Sequence, residues 1–233
     1  MNSNILTHGI IAFALLILIS CSKNKVPTPA ISGLNALYIR GIYYCSGFDY
    51  LLTKSGFNVT ISDNIPNQSI LARYNIVIVN SYTACNSTTA DYLGEYLFNG
   101  GGVVLISGTP YYFGLQNIRN WFGASYYVNS GGKAYYYGKH VPFNVFLADG
   151  SLLTDHTGSE SDAAVTGVLD TTHILGKWED GSVICFWNTY GAGRLFYHGS
   201  MYCNLPQLNE YNNGLLWTAG IKWVARMENM ALH

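Results

Sequence analysis

Two short runs constrain this chain more than any other feature. Residues 75–80 read NIVIVN and residues 103–107 read VVLIS, continuous apolar stretches rich in β-branched side chains. A strand buried on both faces has this pattern, whereas a half-exposed strand alternates. Between them, Ser87-Thr88-Thr89 supplies caps for a helix from about Ala90 to Phe98, with Leu93 and Leu97 on one face. The triple glycine at 100–102 closes that helix. Strand, helix and strand at this spacing require a right-handed crossover, so the two strands run parallel.

The same rhythm precedes them. Ala36–Ile42 predicts a buried first strand, Ser46 caps a helix to about Ser55, and Phe57–Ile61 predicts a second strand after Gly56. The fold expected is α/β: a flavodoxin-like, doubly wound, mostly parallel sheet in the order 2-1-3-4. After residue 121 the chain alternates and turns with little helical period, which predicts short strands and loops. Ser182–Asn188 and Arg194–Gly199 flank TYGAG as a late β-hairpin. Tyr211–Arg226 predicts a C-terminal amphipathic helix whose apolar face holds Leu215, Leu216, Trp217, Ile221 and Val224. There is no internal repeat. One domain over residues 36–226 follows, with a frayed tail at 227–233.

Only 11% of residues are charged and the net charge is −1, with no basic block, which excludes nucleic acid as a partner. Residues 10–19 form an apolar run too short to span a bilayer and of the length of a signal-peptide core. It ends in Leu18-Ile19-Ser20-Cys21, which resembles the lipobox of bacterial lipoproteins. That resemblance implies a signal peptide over residues 1–21, a lipid on Cys21, a polar tether over 22–35, and export to the periplasmic or cell-surface side of a bacterial membrane. An unacylated secretory signal and a buried helix with an incidental cysteine are the alternatives.

Four further cysteines, Cys45, Cys85, Cys185 and Cys203, form no C-x-x-C pair. Cys45 and Cys85 follow strands that neighbour each other in the expected order, which places them within reach of a disulfide. Cys185, mid-strand in VICFW, reads as a small buried apolar residue. A zinc cluster of Cys45, Cys85, Cys203 and His198 is the less favoured reading, and Asp155, His156, Glu160 and Asp162 read as a solvated loop before they read as cation ligands. No metal site and no cofactor is expected.

YNIVIVNSY, a helix, and NGGGVVLISGTPYYFG resemble the central segment of the class I glutamine amidotransferase-like superfamily, nearest its trehalose-utilisation-protein-like group. ILGKWEDGSVICFWNTYGAGRLFYHGS and NNGLLWTAGIKWVA resemble that group's C-terminal part, so the likeness spans about residues 36–226. Catalytic members present a cysteine at the turn after the glycine-led strand, activated by a histidine and an orienting carboxylate. Aligned here, the cysteine position falls on Gly108, with Ser107 beside it as a weak hydroxyl candidate. Tyr197-His198 match the Phe-His positions, and Ser200 stands where the carboxylate belongs. The resemblance therefore implies the fold without the glutaminase machinery.

Ligands of such sheets bind beyond the carboxyl ends of the strands. Those loops bring Tyr43, Tyr44, Tyr82, Tyr111, Tyr112 and Tyr202, with His198, toward one edge. Tyrosine rings suit a sugar or a protein surface. Equally, the rings can seal the top of the sheet against one another. The expectation is a non-catalytic binding or accessory module of an exported lipoprotein. The rival is a hydrolase on a carbohydrate-related or amide substrate using His198 and an unconventional nucleophile.

Overall fold

The computed structural model describes residues 33–41, 46–80, 82–138, 142, 145, 147–156, 162–200 and 211–227. The chain divides into Met1–Ala30 and Ile31–His233, and every described residue lies in the second unit. Strands β1 (Leu34–Arg40), β2 (Phe57–Ser62), β3 (Ile76–Asn80) and β4 (Gly102–Ile106) alternate with helices α1 (Ser46–Lys54), α2 (Gln68–Leu71) and α3 (Ser87–Phe98). Helices α4 (Thr109–Phe113) and α5 (Leu115–Phe122) follow, then strands β5 (Tyr126–Ser130), β6 (Gly132–Tyr136), β7 (Leu152–His156) and β8 (Asp162–Thr166). A 3₁₀ turn (Thr171–His173), β9 (Ile174–Trp178), β10 (Val183–Tyr190), β11 (Gly193–His198) and α6 (Asn213–Val224) complete the chain.

The sheet runs β2-β1-β3-β4-β11-β10-β9-β6-β7, with β8 paired to β10 and β5 to β8. Its first five strands are parallel, in the doubly wound order that the sequence predicts. Beyond β11 it continues antiparallel. Alternate residues of the parallel strands feed two cores. Ala36, Tyr38, Ile78, Val104 and Phe196 face α1 and α6. Leu37, Val77, Val103, Leu105 and Leu195 face α3 and α5. Both faces are thus covered by helices, which is why β3 and β4 are buried at every position.

Local chemistry sets the boundaries. Asn86, one residue before the Ser-Thr-Thr run, caps α3 in a reciprocal box with Thr89. The first two glycines after α3 have separate reasons. Gly100 has φ +103°, and a Cβ on Gly101 would run into the ring of Tyr96. Tyr96 folds under the turn, donating to Tyr74 O (3.0 Å) and accepting from Gly102 N–H (3.3 Å).

Two readings of the sequence need correction. α4 stands where the sequence predicts the loop carrying Tyr111 and Tyr112, and α5 fills a stretch before residue 121 for which the sequence predicts no element; Gly114 (φ +73°) and Gly123 (φ +88°) confine them to five and eight residues. The five residues of α4 give an apolar period little room to register. In α6, Leu216, Trp217, Ile221 and Val224 are buried, but Leu215 is 56% exposed, so the apolar face is narrower than its composition suggests.

Candidate functional site

The carboxyl edge of the parallel strands gathers the ends of β3, β4 and β11. At its centre the chain leaves β4 through Ser107, a non-glycine residue with φ +51°. Its N–H donates to His198 O (2.9 Å), tying the turn to the end of β11, and Thr109 Oγ1 donates to Val79 O (3.2 Å), tying it to β3. Backbone strain of this kind is held only where the surroundings dictate it. The strained elbow residue is therefore Ser107, not Gly108 as the alignment of residues places it. Gly108 has φ −73°, and a Cβ there would lie 3.3 Å from the Tyr127 hydroxyl and 3.5 Å from the Tyr112 ring.

Above the elbow four tyrosines form a ladder. Ring centroids lie 4.4 Å apart for Tyr82 and Tyr112, 5.3 Å for Tyr112 and Tyr111, and 5.2 Å for Tyr111 and Tyr127. Tyr111 and Tyr112 are 60% and 44% exposed, so the ladder offers ring surface to solvent as well as to itself. Tyr127 donates to Asn129 Oδ1 (2.9 Å). Partial burial pushes its phenol pKa up, and Tyr112, Asp162 and Tyr111 add to the shift.

Of the residues singled out from the sequence, Tyr82, Tyr111 and Tyr112 are brought together. Tyr43, Tyr44, Cys45, Tyr202, Cys203 and Cys21 lie outside the described residues. Tyr127 is an addition that the sequence did not point to. It reaches the edge only because β5 pairs with β8, a contact that no local pattern announces.

His198 takes a different place from the one expected. It sits at the strand end, opposite Ile106, but is fully buried, and its ring stacks on Trp217 (4.6 Å, 27°) beneath α6. Its Nδ1 accepts from Ser200 N–H (3.2 Å), which puts the proton of the neutral ring on Nε2. Nε2 has no hydrogen-bond partner among the described residues. Burial pulls the pKa down to about 3; the Asn213 amide beside it opposes this, though outside hydrogen-bonding geometry. An imidazole held neutral and sealed from solvent is poorly placed to take a proton from a substrate. No hydrogen bond joins the His198 ring to the Ser107 hydroxyl among the described residues.

Of the two metal readings, the zinc set has Cys45 and Cys203, and the cation set Glu160, outside the described residues. Among the described residues no three His, Cys, Asp or Glu side chains lie together as metal ligands. Asp155 instead lies 4.0 Å from Lys133 Nζ, and Asp162 is buried on β8. Cys85 follows β3, next to β1, and its burial pushes the thiol pKa up to about 12. Cys185 is fully buried in β10 with its thiol pKa raised, in keeping with an inert core residue.

A three-layer α/β sheet of this order, with a strained elbow after its fourth strand, defines the class of fold. Among solved structures it matches a cytoplasmic protein of Salmonella typhimurium LT2 with a TM-score of 0.60 at 13% identity, over 82% of this chain and 99% of that one. A ThuA-like protein from Bacteroides uniformis matches at 0.55 and 14% identity, over 82% and 91% of the two chains. A GMP synthase-like protein from Thermoplasma acidophilum matches at 0.53 and 15%, over 80% and 92%. The chain thus shares the flavodoxin-like α/β fold of ThuA-like proteins. No family model matches the chain, and no curated protein matches it in sequence.

Proposed function

We propose that this chain is an exported lipoprotein, held at a membrane through lipid on Cys21, whose α/β domain is a non-catalytic binding or accessory module. Its ligand, a saccharide or a protein surface, lies on the tyrosine ladder at the carboxyl edge. The observation that carries this reading is the mutually braced set of Tyr82, Tyr111, Tyr112 and Tyr127, of which Tyr111 and Tyr112 are exposed. Rings fixed by their neighbours lose little entropy on binding and present flat faces to the C–H bonds of a sugar or to apolar side chains. Titrating the full-length protein with soluble oligosaccharides and with candidate protein partners tests it. Tyr111→Ala and Tyr112→Ala should each weaken the ligand by about tenfold, equivalent to about 1.4 kcal/mol, without lowering the melting temperature. Ligands that bind equally well to both variants would move the function away from this edge.

A second reading rests on one observation, the strain at Ser107. In it Ser107 is the unconventional nucleophile of a hydrolase and His198 its base. The buried, neutral His198 weighs against it. Glutamine and carbohydrate-ester hydrolysis by the purified chain, abolished in Ser107→Ala, would support the hydrolase over the binding module.

A further inference from the structure

A groove of about 410 Å³ opens on the helical face, away from the tyrosine ladder. It runs between α3 and α5 toward the turn that joins β10 to β11. Its volume is that of a small-ligand pocket. Phe98, at the end of α3, is 55% exposed and meets Tyr190 edge-to-face at 5.6 Å, so an apolar ring stands in solvent with its orientation fixed. Trp121 is only 4% exposed, and its pyrrole edge lies against Gly94, a residue of the groove. A Cβ on Gly94 would lie 2.8 Å from Trp121 Cδ1 and 2.9 Å from Nε1. Glycine at this point lets the indole N–H reach the groove, and that N–H donates to no group among the described residues.

The rim supplies acceptors. Asp91 and Glu95 stand one turn apart on α3, and neither has an ion-pair partner among the described residues. The Asn117 amide donates to Phe113 O (2.8 Å), which leaves its Oδ1 to accept. No lysine or arginine lines the groove, so it has nothing to hold a phosphate or a carboxylate. Two carboxylates make it a poor site for a wholly apolar ligand. An aliphatic diamine would meet the carboxylates but leave the indole N–H without an acceptor. A ring that bears hydroxyls on its rim and C–H bonds on its faces meets acceptors, donor and aromatic wall together.

We propose that the groove between α3 and α5 is a saccharide-binding site. It shares no residue with the tyrosine ladder and does not depend on the function assigned to that edge.

The test is calorimetric titration of the full-length protein with maltose, cellobiose, xylobiose and chitobiose, and separately with spermidine. At least one disaccharide should bind saturably. Phe98→Ala, Asp91→Asn and Glu95→Gln should each weaken it tenfold or more, and Tyr50→Phe, exposed on α1 across the sheet, should leave it unchanged. All three groove positions are on the surface of α3, so thermal melts of these variants should match the parent. The proposal is overturned if no disaccharide binds. It is equally overturned if binding survives all three groove variants, or if only spermidine binds.

Discussion

His198 ties the chemistry of one side chain to the pH range in which the domain stays folded. Below about pH 6.5 the unfolded chain takes up a proton on this imidazole, while the folded chain, with its pKa near 3, does not. Stability from this group is therefore complete above pH 6.5 and is lost as pH falls toward 3, at about 1.4 kcal/mol per unit. His198→Phe keeps a ring on Trp217 and removes the titration. Urea unfolding at pH 7, 6, 5 and 4 should show the parent losing stability more steeply than the variant, by the slope of about one proton. Parallel slopes would mean that the imidazole charges inside the fold.

At the level of elements, the hairpin of β10 and β11 docks on the end of α3 with no room to spare. Ala192 N–H donates to Phe98 O (3.0 Å) and Arg194 N–H to Gly101 O (3.2 Å). A Cβ on Gly193 would collide with the Leu97 carbonyl oxygen. Because that obstacle is backbone, Gly193→Ala should cost about 1–3 kcal/mol in denaturant unfolding, as overpacked sites do. Ala192→Gly, beside it and exposed, should cost well under half as much. The parallel half of the fold was legible because each buried strand is a continuous apolar run fenced by caps and glycines. β5 to β9 were not, since their partners are distant and two of their pairings slip register, between Ala134 and Tyr135 and around Cys185. α5 did carry a signal: Ile118, Trp121 and Phe122 are spaced as one helical face between two glycines. At the candidate site, loop positions after β3 and β4 revealed Tyr82, Tyr111 and Tyr112. The burial of His198 depends on Trp217, a packing partner that strand-end position alone could not reveal.

For the whole molecule, the proposed address rests on Cys21. No helix among the described residues is long and apolar enough to cross a membrane. If the lipid is the anchor, the parent should sediment with membranes and Cys21→Ala should leave them or fail to mature. A Cys21→Ala chain that still sediments at the parent's size would remove the anchor. The sheet order bears on how such a chain is made. β4 is flanked on one side by β3, close before it, and on the other by β11, which begins only at Gly193. A chain emerging amino end first therefore carries an open row of parallel-strand N–H and C=O groups until its last segment arrives. Final closure waits on nearly the whole polypeptide, so the domain cannot lock until its synthesis is almost complete. The same delay makes any chain cut short before Gly193 a template for intermolecular strand addition.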